Sequence, residues 1–93
     1  MPRFLIERKL PGIGELNTRQ LRSIVQKSNA ALNDMRNSGT AIQWDHTYVS
    51  QDTMNCVYLA PDAEAIREHA RNSGFPCDDI KEVGTIISPT TGE

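Results

Sequence analysis

PDAEAIREHARNSGFP, residues 61–76, is the stretch on which the reading of this chain turns. Asp62 is placed to cap the first turn of a helix, and Gly74 followed by Phe75-Pro76 ends it. Ala63, Ile66 and Ala70 recur at helical spacing on one face, while Glu64, Arg67, Glu68 and Arg71 charge the other. The Glu64/Arg67 and Glu68/Arg71 pairs are three residues apart and support a solvated helix surface. His69, one of two histidines, stands at the edge of the apolar stripe. What this helix connects decides the fold.

Upstream lies a hairpin. From Ala41 to Ser50 the chain alternates, with Ile42, Trp44, His46 and Tyr48 on one face and Gln43, Asp45 and Thr47 on the other. Ser50-Gln51-Asp52-Thr53 punctuates it, and a second strand runs from Met54 to Ala60. Met54, Cys56 and Tyr58 face one way and Val57 and Leu59 the other, so this strand is expected to be covered on both sides. Downstream of the helix, Asp79–Ser88 reads as a last strand, with Ile80, Val83, Ile86 and Ile87 as its apolar content.

Nearer the N-terminus, Arg3–Lys9 is a strand with Phe4 and Ile6 on one side and Leu5 on the other. Pro11-Gly12-Ile13-Gly14 breaks it. The Gly-x-Gly has neither a third glycine nor a following Gly-Lys-Ser/Thr, so it is not read as a phosphate loop. Asn17 then caps a long helix, Gln20 occupies the capping-box position, and Leu16 and Leu21 are spaced as a hydrophobic staple. Leu21, Ile24, Val25, Ser28, Leu32 and Met35 make one stripe, opposite Arg22, Gln26, Asn29 and Asn33, and Gly39 supplies the stop.

Strand, helix, strand, strand, helix, strand is the split βαβ order. It predicts one ferredoxin-like α+β domain over residues 1–93, a four-stranded antiparallel sheet with two helices on one face. A chain this short cannot build a second core, and its uncovered sheet face is expected to meet another copy. The expected assembly is a homodimer of the dimeric α/β-barrel kind.

The net charge of −2 and pI near 5.6 provide no basic footprint, so no nucleic-acid partner is expected. No apolar run approaches a bilayer span, and Phe4-Leu5-Ile6 is too short for a signal sequence; a cytoplasmic location without membrane association is expected. Cys56 and Cys77 make neither a disulfide framework nor a zinc ligand set, and Cys56 alternates with apolar residues. A cysteine nucleophile is therefore disfavoured.

Two chemistries remain. His46, His69, Asp45, Glu68 and the Asp78-Asp79 pair are the available nitrogen and oxygen ligands, a set suited to nickel, zinc or iron rather than calcium. Against this, each histidine has a plain account as a packed ring bonded to a neighbour. Alternatively, Trp44, His46, Tyr48 and Tyr58 line a small-molecule pocket in which His46 is a general acid or base, giving isomerase- or oxygenase-like activity. The same four residues also serve as a sheet layer touching only one another. The residues specify no enzymatic reaction.

The hairpin segments Ile42–Val49 and Asn55–Asp62, the run Ala65–Arg71 containing Arg-Glu-His-Ala, and Gly74-Phe75-Pro76 together resemble a family of small bacterial domains of unknown function. One actinobacterial member of that family is described as nickel-binding. Phe4–Arg8 and Ile87–Glu93 fit as well, so the resemblance spans nearly the whole chain. It implies a ferredoxin-like fold, a homodimeric α/β-barrel and octahedral nickel as cofactor. It implies no established enzyme. Carried onto this sequence, it makes His69 the leading metal ligand, with Glu68 beside it and His46 as a further candidate.

Overall fold

The chain runs β1 (Arg3–Lys9), α1 (Thr18–Asn37), β2 (Gln43–Val49), β3 (Thr53–Leu59), α2 (Ala63–Ser73) and β4 (Asp79–Val83). The computed structural model covers residues 1–93. The sheet is ordered β2-β3-β1-β4 with every neighbouring pair antiparallel, and both helices lie on one face. This is the ferredoxin-like α+β arrangement that the order of elements predicts.

The register explains the core. Phe4 pairs with Tyr58, Ile6 with Cys56 and Arg8 with Met54, so these six side chains share the helix-covered face. Leu32 and Met35 of α1, Ala65 and Ile66 of α2, and Ile42 close over Phe4, Ile6, Cys56 and Tyr58. Fully burying each aliphatic side chain here is worth about 1.5–3 kcal/mol.

The helix ends follow their local chemistry. Asn17 accepts from the Gln20 backbone while the Gln20 side chain accepts from the Asn17 backbone, completing the capping box. At the other end Gly39 N–H donates to Arg36 and Thr40 N–H to Met35, a Schellman closure with Gly39 at φ 99°. Asp62 caps α2 through the Ala65 backbone, and Gly74 stops it in the left-handed region. No helix is long and apolar enough to cross a membrane.

The glycine pair belongs to a turn. Gly12 takes a left-handed φ of 81°, and Gly14 passes so close to the β2–β3 turn that an added Cβ would lie 2.7 Å from Gln51 Cα and Ser50 O. Gly14 N–H donates to the Gln51 carbonyl and Leu10 N–H to that of Asp52, tying the two loops together.

Two features depart from the sequence reading. β4 ends at Val83 rather than Ser88, and Ile86 and Ile87 are exposed. Val83 pairs with Arg3, the first residue of β1, and Pro2 before it has no N–H with which to continue the ladder. The second departure is in β2. A bulge between Trp44 and His46 inserts Asp45 without a partner: Trp44 pairs with Tyr58, His46 with Val57 and Thr47 with Cys56. Trp44, Thr47 and Val49 therefore face the helices, while His46 and Tyr48 face away. The strict alternation expected from the sequence would have kept Trp44, His46 and Tyr48 together.

Candidate functional site

The face of the sheet beneath α1 is not filled evenly. The C-terminal half of the helix is packed down, with Ser28, Leu32 and Met35 buried, whereas Leu21, Ile24 and Val25 are only half-buried. They roof a cavity of about 230 Å³. Its far wall is Trp44, Thr47 and Val49 of β2 with Met54 of β3; Cys56, Tyr58 and Arg8 lie beneath, and Phe75 closes one side. Trp44 is fixed there because its Nε1–H donates to Thr47 Oγ1 at 2.9 Å, a bond that exists only because the bulge turns Thr47 inward.

Arg8 is the unexpected member. Its parity with Phe4 and Ile6 directs it into the core, where it is 1% exposed. Nη1 donates to the Pro76 carbonyl at 2.6 Å, and Nη2 has no partner. The guanidinium carbon lies 6.0 Å from the ring centres of both Tyr58 and Phe75, within cation–π range. None of the ion pairs in the structure includes it.

His69 lies behind this group, fully buried, with its ring centre 5.4 Å from that of Tyr58. Nε2 and Ser28 Oγ are 3.2 Å apart, and Nδ1 has no partner. Burial, then the nearby Arg8 charge, push its pKa down to about 4 against the smaller opposing effect of Ser28. Burial raises the Tyr58 phenol, with Arg8 working the other way. At neutral pH both rings are uncharged, and Arg8 is the lone charge among these groups. Burial likewise raises the Cys77 thiol.

Residues 4–83 match the family described as "Nickel responsive protein SCO4226-like". The chain belongs to that family. A solved structure described as "Crystal structure analysis of SCO4226 from Streptomyces coelicolor A3(2)" is 20% identical, with a TM-score of 0.73 over 91% of this chain and 99% of that one. At that identity the likeness is one of fold. No curated protein matches the chain. The resemblance drawn from the hairpin, the Arg-Glu-His-Ala run and Gly-Phe-Pro thus stands for a member of the SCO4226-like family.

The family name raises nickel, and the donors of this member can be set against it. His69 is in the core on the helix side of the sheet, Glu68 is half-buried beside it on α2, and His46 is exposed on the opposite sheet face. The structure does not bring His69, Glu68 and His46 together, and no group of three or more His, Cys, Asp or Glu side chains converges within the chain. His69 is also poorly suited to a cation, because its site is fully buried and the Arg8 charge beside it repels a second positive charge. His46 is better placed: its Nδ1–H donates to Asp45 Oδ2 at 3.2 Å, leaving Nε2 as the open nitrogen.

The expected pocket residues divide. Trp44 and Tyr58 line the cavity; Tyr48 is 67% exposed on the open face, edge-on to His46 with ring centres 5.0 Å apart. An acid–base role for His46 inside a pocket with Trp44 and Tyr58 is therefore not what this fold builds. Arg8 and Ser28 were missed. Both had a signal: Arg8 is a charge on the inward parity of a strand, and Ser28 interrupts the apolar stripe of α1.

Proposed function

We propose that this SCO4226-like protein acts in a nickel response by binding the metal, and that the ion is held between two copies of the chain. The observation that carries this is the Asp45–His46 pair, whose carboxylate orients an exposed imidazole as metal-binding histidines are commonly oriented. One chain supplies too few converging donors, so a second copy contributes the rest, with His46 from each side and carboxylate and water oxygens completing an octahedral N/O shell. The open face that carries His46 also carries the exposed Leu5 and Tyr48 side chains, a surface suited to the homodimer. His69 and Glu68 lie outside this arrangement.

The test is nickel calorimetry with light scattering on the untagged protein, its His46→Ala variant and its His69→Leu variant. The wild type is expected to take about one ion per two chains, as a two-fold shared site requires. His46→Ala is expected to lose that binding, and His69→Leu to keep it. Retention in His46→Ala with loss in His69→Leu would move the site to α2 and overturn the reading.

A further inference from the structure

Independently of any metal, the cavity under α1 holds a charge without a counter-charge. A buried guanidinium is ordinarily paired with a carboxylate or phosphate, because removing it from water is costly unless its donors are satisfied. Arg8 is buried, Nη2 is unpartnered, no acidic side chain lines the cavity, and no ion pair of the chain reaches it. A second cation is close by: Lys27 Nζ lies 5.7 Å from the centre of the Phe75 ring that Arg8 also faces. The neighbouring titratable rings, His69 and Tyr58, are neutral and supply no negative charge.

The rest of the cavity is apolar. Nine of its twelve lining residues are hydrophobic, and the polar exceptions are Arg8, Ser28 and Thr47. Thr47 Oγ1 already accepts from Trp44, and Ser28 Oγ is held by His69 Nε2 at the wall. A cavity of about 150 Å³ takes benzene; this one, at about 230 Å³, has room for one ring and a carboxyl group.

We infer that the cavity between α1 and the sheet binds a small organic monocarboxylate, with its carboxylate on Arg8 and its apolar body between Trp44 and the roof of α1. A planar carboxylate matches the guanidinium fork, and Ser28 stands at the wall as a further hydroxyl. Inorganic phosphate, with more oxygens and no apolar body, would leave the walls unfilled and most of its acceptors unmet. The Trp44 indole, the only tryptophan, reports occupancy directly.

Benzoate, its neutral isostere benzamide, and inorganic phosphate are titrated into the full-length protein, reading Trp44 fluorescence and the Trp44 Nε1–H resonance. Benzoate is expected to shift both and to bind at least roughly tenfold more tightly than benzamide, the difference a charge-assisted fork makes. Arg8→Met, which keeps an unbranched apolar stem and removes the guanidinium, is expected to bind the two equally. Equal binding of benzoate and benzamide to the wild type, preferential binding of phosphate, or no response of Trp44 to millimolar benzoate would each overturn the inference. The wild-type comparison stands whether or not the variant folds. Nickel binding by His46 is untouched by any of these results.

Discussion

The buried His69 makes the stability of this fold depend on pH in a calculable way. Its ring prefers to be neutral in the folded chain, with a pKa of about 4 against an ordinary 6.5. Above the higher value both states are neutral and stability is complete. As pH falls through 6.5 the unfolded chain takes up a proton that the folded chain refuses, so stability declines until the fold also protonates near 4. Each unit of difference is worth 1.36 kcal/mol, so the decline across the whole window amounts to about 3 kcal/mol. The ring is fully buried, so no solvent screening reduces it. A loss of that size is a large share of the stability of a small domain. Urea unfolding followed by circular dichroism from about pH 7 to about pH 4.5, for wild type and His69→Leu, isolates the effect because other acid-sensitive groups are common to both. The wild type is expected to lose about 2–3 kcal/mol more than the variant over that span. Parallel losses in the two proteins would refute the reasoning, and would mean that His69 is hydrated or charged in the fold.

Other expectations follow from the packing. Gly14→Ala should cost about 1–3 kcal/mol, read as a lowered urea midpoint, because its Cβ meets the backbone of Ser50 and Gln51. Asn17→Ala should cost about 1 kcal/mol through loss of the capping box, and a Gly at the same position noticeably less. Ile66→Ala, at a fully buried position on the inner face of α2, should cost about 2–5 kcal/mol by the same assay. Cys77 should react with a disulfide reagent at neutral pH more slowly than free cysteine, because burial raises its thiol; a faster rate would contradict the placement.

The fold was legible because its signals are local and agree with one another. Asn17 with Gln20, Asp62, and the glycines at 39 and 74 each mark a helix boundary, and the order of elements leaves one topology. The bounds of β4 were not legible, since where it stops depends on where its partner β1 begins. The site was harder. Periodicity assigns a residue to a face only while the ladder is unbroken, and β2 is broken at Asp45. That one insertion separated Trp44 from His46 and Tyr48 and brought in Thr47. Arg8 reads as the charged end of a strand until its parity is followed inward. That His69 would meet Ser28 depends on the seating of α2 against α1, which no spacing along the chain specifies.

The bulge has one more consequence. β2 is an edge strand with a single ladder to β3, so its phase is held by fewer bonds than that of any interior strand. Its sequence alternates without interruption in a phase the protein does not use, one that would place His46 and Tyr48 under α1 and turn Thr47 and Val49 outward. Two messages are thus written in one strand, offset by a residue. The Trp44–Thr47 bond and the apolar Val49 belong to the version that is read. Deleting Asp45 would erase the competing message and leave every other side chain facing as it does now.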